Sequence, residues 1–180
     1  TIQLPLTLGA TSGGVMHWYV DAAFAVHPNM RGHSGGAMTL GIGFPILSSS
    51  KQKLNTRSSK ESKLVGVDDL MSLILWSRNF LRAQGYSVKD NILHQDNKSA
   101  ILLERNGKLS SGKQTKHIAI RYFFVTDRIK YGELTAKWCP TADMVADFLT
   151  KPLQGATFTK LRDLLMGVVP TMTMNKLPAQ

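Results

Sequence analysis

The chain has 180 residues, 43% of them hydrophobic and 19% charged, enough for one domain with a real core plus loose ends, and this composition excludes disorder throughout. Its 22 Lys+Arg against 12 Asp+Glu give a net charge of +10, and the excess is concentrated. Residues 51–63 hold five basic residues and one acid, and residues 105–137 hold eight and two. Two basic patches on an otherwise neutral chain form an electrostatic footprint for a polyanion, nucleic acid first, with solubility as the plain alternative.

Cys139 is the only cysteine, which excludes an internal disulfide and a CxxC-type zinc site and leaves no disulfide partner. No run approaches the ~18 apolar residues of a membrane span. Residues 1–14 lack the basic start and apolar block of a signal peptide, so an intracellular protein with no membrane partner is expected. The chain begins with Thr rather than Met, and it is expected to be a piece of something longer.

Ile2, Leu4, Leu6 and Leu8 alternate with polar residues or proline, the period of a half-buried strand that Pro5 confines to an edge. A loop over 9–14 leads to Trp18-Tyr19-Val20-Asp21-Ala22-Ala23-Phe24, an apolar strand with one carboxylate at its centre. Pro28-Asn29 and Gly32 mark a turn, residues 37–42 alternate as a second strand, and 46–52 form a third. Connections this short predict an antiparallel meander. From Ser58 the period changes: Leu64, Val67, Met71, Ile74, Arg78 and Leu81 predict a helix of about six turns that stops at Gly85. A strand over 91–95 follows, then a brief helix over 99–105 and a basic loop over 108–114. Residues 117–130 read as a helix with Ile118, Tyr122, Val125 and Ile129 on its packing face. A fifth strand over 134–138 comes next. Thr141 is expected to cap a helix running to Thr150 and closed by Pro152, and Phe158, Leu161, Leu164 and Leu165 predict a last amphipathic helix.

Four acids sit where they could meet: Asp21, Glu61, Asp96 and Asp147. Three have ordinary explanations. Glu61 completes Ser58-Ser59-Lys60-Glu61, a capping box; Asp96 suits an N-cap; Asp147 can pair with Lys151 one turn on. Asp21 has no such outlet, because a carboxylate buried in mid-strand needs a partner or a metal to offset several kcal/mol of lost hydration. Converging carboxylates repel unless cations lie between them, and oxygen-only donors suit Mg²⁺ or Mn²⁺. Two such ions ~4 Å apart can activate a water and steady the leaving oxygen of a phosphodiester. A basic chain with four such acids reads as a nuclease.

Several segments, in this order, resemble the ribonuclease H domain of copia-type LTR retrotransposon Pol polyproteins. They are Tyr19-Val20-Asp21-Ala22, Ser50-Lys51-Gln52-Lys53, Ser58-Ser59-Lys60-Glu61 and Gln95-Asp96-Asn97-Lys98-Ser99-Ala100, then Thr115-Lys116-His117-Ile118-Ala119-Ile120-Arg121-Tyr122 and Ala146-Asp147-Phe148-Leu149-Thr150-Lys151-Pro152. The resemblance implies an α/β ribonuclease H-like fold, a five-stranded mixed sheet with strands one to three antiparallel and helices packed on it. Residues 1–16 would end a connection segment as an edge strand, 17–154 would form the ribonuclease H domain, 155–167 a C-terminal helix and 168–180 a flexible tail.

It also implies endonucleolytic hydrolysis of the RNA strand of RNA–DNA hybrids during reverse transcription, with a reverse transcriptase in the same polyprotein. Asp21, Glu61, Asp96 and Asp147 would be the catalytic ligands of Mg²⁺ or Mn²⁺. Ser58, Asn97 and Ser99 would contact the wide minor groove and its 2′-hydroxyls, although all three also suit caps or turns. Lys113, Lys116, His117, Arg121 and Arg128 would form a phosphate-facing stripe, with His117 a binding residue rather than a proton shuttle. The expected location is the cytoplasm, within the element's virus-like particle, or the nucleus. The alternative is a catalytically degenerate domain that binds hybrid or props up a polymerase.

The chain departs from the family pattern at Lys60 and Lys63, where Thr and Glu are usual. Residue 63 lies about 200° around the helix from Glu61 and is expected to face away from the metals. Lys60, the nearer ammonium, is expected to weaken metal binding at Glu61, as in a drifting copy of the element. The loop before the last aspartate, Cys139-Pro140-Thr141-Ala142-Asp143, lacks the histidine that related cellular and retroviral enzymes carry there.

Overall fold

The computed structural model describes residues 3–11, 13–106 and 116–169, and the side chains of these apart from 103, 105–106 and 116–122. In chain order the elements are β1 (Gly9–Ala10), β2 (Val15–Ala23), β3 (His33–Thr39), β4 (Gly41–Ile42), β5 (Ile46–Lys51), α1 (Ser59–Ala83), β6 (Asp90–Gln95), α2 (Lys98–Asn106), α3 (Lys116–Lys130), β7 (Thr135–Trp138), α4 (Asp147–Thr150) and α5 (Gly155–Leu165). A five-stranded sheet runs β5-β3-β2-β6-β7. β3 is antiparallel to both β5 and β2, and β6 and β7 continue parallel to β2, giving the mixed sheet expected.

The central place of β2 explains its composition. A strand with neighbours on both edges and helices on both faces is apolar at successive positions rather than alternate ones. Met16, Trp18 and Val20 face one core with Val67, Leu70, Met71 and Ile74 of α1, Val125 of α3 and Leu93 of β6. Tyr19 enters a second cluster with Phe44, Met144, Val145, Ala146 and Leu165. Gly35 and Gly36 of β3 make room for this two-sided packing. A Cβ on Gly36 would strike Leu70 of α1, and one on Gly35 would lie 2.6 Å from Thr150 Cγ2 of α4.

Three expected elements differ. The described residues of the expected edge strand, 3–8, form no strand; β1 lies instead in the expected loop, at Gly9–Ala10, and pairs only with β4. The Thr7 amide donates to Met166 O beyond α5, so this stretch is tied to a helix end, and Leu6 and Leu8 stay exposed. The single helix expected from Thr141 to Thr150 is broken into a 3₁₀ turn, Thr141–Asp143, and α4. Between them Met144, Val145 and Ala146 are all fully buried, which three successive residues of a surface helix cannot be. The second strand begins four residues earlier than expected and ends at Thr39, and Gly41 and Ile42 leave for the small sheet. The expected tail falls largely outside the described residues.

Candidate functional site

The site forms where β2, the end of β6, the first turn of α1 and α4 meet. α1 starts at a firm cap: Ser58 Oγ accepts from the Glu61 amide at 3.2 Å, and Glu61 Oε2 accepts from the Arg57 amide at 2.8 Å. This is the capping box, displaced by one residue from its usual backbone partner. A buried polar cluster then fixes the opposite side of the helix. Gln52 Nε2 donates to Ser34 Oγ at 3.0 Å and to Ser62 O at 2.8 Å, and Ser62 Oγ donates to Gln52 Oε1 at 3.1 Å. With Glu61 held outward and Ser62 held inward, the next residue, Lys63, is carried into the molecule.

There its ammonium lies 2.5 Å from Asp21 Oδ1 and 2.5 Å from Asp96 Oδ1. Lys63 and Asp21 are 8% and 1% exposed, so this is a buried ion cluster rather than a surface bridge. The other oxygen of Asp21 accepts from Thr150 Oγ1 at 2.6 Å and lies 3.7 Å from Lys151 Nζ. Lys151 reaches Asp147 Oδ1 at 2.8 Å, the one-turn pair the spacing predicts, although Asp147 is buried rather than on a solvated face. Trp138 Nε1 donates to Asp96 O at 3.3 Å and so steadies the strand end that presents Asp96.

The electrostatics follow from this packing. Burial alone would raise the Asp21 carboxyl, but the charge and hydrogen bond of Lys63, with help from Thr150 and Lys151, hold it below the ordinary carboxylate value. Burial would likewise lower Lys63, yet Asp21 and Asp96 more than offset it and the ammonium is pushed up. Asp147 is raised by burial and by the neighbouring Asp21 charge against the opposing pull of Lys151. The cluster is therefore a charged Lys63 between Asp21 and Asp96, with Lys151 between Asp21 and Asp147.

The structure thus brings together Asp21, Asp96 and Asp147 but not Glu61, whose carboxylate is spent on the cap. Lys63, expected to face away, is the helix residue that enters the centre. The 200° separation of 61 and 63 holds; which of the two faces the sheet is the reverse of the expectation. Ser58 is the N-cap of α1. Asn97 Oδ1 accepts from the Ser99 and Ala100 amides at 2.9 and 3.1 Å as the cap of α2, leaving Asp96 free for Lys63. Ser99 is exposed in the first turn of α2. Arg128 pairs with Glu133 at 2.8 Å and lies over the rings of Phe124 and Tyr131. Lys113, and the side chains of Lys116, His117 and Arg121, lie outside the described residues.

No protein-family model matches the chain. The chain is 32% identical over 145 residues, 79% of its length, to the Retrovirus-related Pol polyprotein from transposon RE1 of Arabidopsis thaliana. It is 27% identical over 155 residues, 86% of its length, to the corresponding polyprotein from transposon TNT 1-94 of Nicotiana tabacum. Among solved structures it is similar to LC11-RNase H1, isolated from compost, with a TM-score of 0.54, 11% identity, and 76% of this chain and 92% of that one covered. The same protein in complex with an RNA/DNA hybrid gives a TM-score of 0.52 at 10% identity, covering 74% and 92%. The chain is thus related to part of the Pol polyproteins of copia-like transposons, and its fold is ribonuclease H-like. It spans about a tenth of the length of the curated relatives it matches, 10% and 12%.

For a ribonuclease H-like fold the expected cofactor is a divalent metal, against which the donor set is weighed. Three aspartates offer suitable hard oxygen donors. Against that, the Lys63 ammonium already occupies the position shared by Asp21 and Asp96, where it repels a dication and takes up one oxygen of each. Among the described residues no three His, Cys, Asp or Glu side chains are placed to hold a metal ion. The residues present do not fit Mg²⁺ or Mn²⁺.

Proposed function

We propose that this chain serves as the ribonuclease H-type domain of a retrotransposon Pol polyprotein, engaging RNA–DNA hybrid beside a reverse transcriptase, with hydrolysis held off by Lys63. The observation that carries this reading is the buried Lys63 bridge between Asp21 and Asp96 at 2.5 Å to each. The fold and the copia-type relatives support descent from hybrid-cutting enzymes. The three converging aspartates support the same descent. An ammonium between Asp21 and Asp96 opposes a two-metal reaction, because a metal can enter there only by displacing a charge that both carboxylates stabilise.

Hybrid engagement is supported by the net charge of +10 and by its concentration in residues 51–63 and 105–137. Lys98 over the Trp138 ring, 5.0 Å from its centroid, adds an exposed cation and aromatic close to Asp96. The test incubates the chain with labelled hybrid and Mg²⁺ or Mn²⁺ and measures binding and cleavage side by side. The expected result is salt-sensitive binding without cleavage. Metal-dependent cleavage that Asp96→Asn abolishes would overturn it and restore the hydrolytic reading, in which Asp21, Asp96 and Asp147 hold the metal.

A further inference from the structure

The acid cluster poses a problem of charge that the fold has to solve without help from solvent. Asp21 is 1% exposed and Asp147 7%, Lys151 reaches both, and the Asp21 charge raises the Asp147 carboxyl. Like charges at such range need a cation between them, and in this fold that cation is expected to be a metal.

We propose that Lys63 is itself the resident cation of the centre: its ammonium stands where a divalent ion would bridge Asp21 and Asp96, so the chain keeps its acids buried and folded without metal. The inference rests on the ribonuclease H-type reading and deepens it by naming the residue that closes the site.

Three observations carry it. Lys63 contacts one oxygen of each aspartate at equal distance, 2.5 Å, which is a bridging position rather than a pair with a bystander. The side chain is delivered by built structure: the Gln52, Ser34 and Ser62 cluster and the Ser58–Glu61 cap fix the first turn of α1 on both sides. The remaining Asp21 oxygen is satisfied by Thr150 at 2.6 Å, so Lys63 and Thr150 together complete the hydrogen bonding of that buried carboxylate.

The charge at position 63 then decides whether the centre takes a metal. Lys63→Glu replaces a cation with a carboxylate at the same helix position, turning two bridged aspartates into a group of three acids. Lys63→Gln removes the charge while keeping a polar side chain and guards against misfolding of the more acidic variant.

The experiment titrates the intact chain and both variants with Mn²⁺ alone, by calorimetry and by melting temperature, with no nucleic acid present. The native chain should give no saturable binding, and its melting temperature should be the same in Mn²⁺ and in chelator. Lys63→Glu should bind Mn²⁺ at least about tenfold more tightly and melt higher when Mn²⁺ is added, since one charge beside the ion is reversed. Adding Asp21→Asn to it should abolish the gain. A Lys63→Glu chain that folds only with Mn²⁺ present would equally support the proposal. Native binding as tight as that of Lys63→Glu, or no gain in either variant, would overturn it. Loss of hybrid binding would remove the functional reading and leave this inference standing, because the titration measures metal alone.

Discussion

The Lys63 ammonium on α1 meets Asp21 Oδ1 on β2 at 2.5 Å, with both side chains shut away from solvent. A pair of this kind contributes less through its own attraction than through the penalty of breaking it, because removing one member leaves the other charged and unpaired in a dry site. Asp21→Asn strands Lys63 against Asp96 alone. Because Lys63 keeps Asp96 as a partner, the unfolding free energy should fall by about 1.5–3 kcal/mol, the scale of one lost charged hydrogen bond, and not by the ~3–5 kcal/mol of a fully orphaned buried charge. Urea denaturation measures it. A loss below about 1 kcal/mol, the scale of an exposed bridge, would place the pair in solvent.

Glu61 supports the helix, and its removal should leave the centre alone. Glu61→Ala should cost about 1 kcal/mol, the scale of a lost cap. It should leave the metal response of Lys63→Glu intact. If the double variant loses that response, Glu61 is part of the centre after all.

The contact between β3 and α4 depends on the missing side chain of Gly35. A Cβ there would come within 2.6 Å of Thr150 Cγ2 and 2.9 Å of Leu149 Cβ, so α4 must move for Gly35→Ala to fold. Overpacking of this sort costs about 1–3 kcal/mol. It should also loosen Thr150 from Asp21, visible as faster amide exchange over 147–150 in the variant. Unchanged exchange there would show that α4 is held without β3.

Acid should weaken the fold through His94. Its ring lies 4.5 Å from the Tyr19 ring and 2.9 Å from the His17 nitrogen, and burial, with the nearby His17 and Lys137 charges, pushes it down to about 3. The folded value lies below the unfolded one, so the penalty is absent above pH 6.5 and grows as pH falls toward 3. Between pH 7.5 and 5.0 His94 alone should remove about 2 kcal/mol, since each unit below its ordinary value is worth ~1.4 kcal/mol. Denaturation of His94→Gln at both values should show a difference smaller by that amount, and equal losses would put the ring in water.

Much of this was legible in the sequence. Asp21 announced itself because no local structure can satisfy a carboxylate in mid-strand, and the long helix announced its start through a cap whose chemistry is local. The antiparallel meander of β2, β3 and β5 followed from short connections, while the parallel half of the sheet was legible only through the resemblance to ribonuclease H domains. What sequence could not give was the direction in which the first turn of α1 faces. That is set by Gln52, Ser34 and Ser62, which lie on three elements and meet only in the folded chain. Helical spacing placed 61 and 63 on opposite sides correctly but carried no information about which side is the sheet. The usual Glu at position 63, replaced here by lysine, was the one available signal that 63 and not 61 belongs to the centre. The break before α4 was hidden for a similar reason: Met144, Val145 and Ala146 are apolar whether they form a helix or a turn, and only the folded chain shows Met144 extended and Val145 and Ala146 in the turn that leads into α4.

The most direct measurement is the diffraction of Mn²⁺-soaked crystals of the native chain, read through the anomalous signal of the metal. No peak is expected among Asp21, Asp96 and Asp147, with Lys63 still bridging Asp21 and Asp96. A peak between those carboxylates, with the Lys63 side chain swung away, would contradict it.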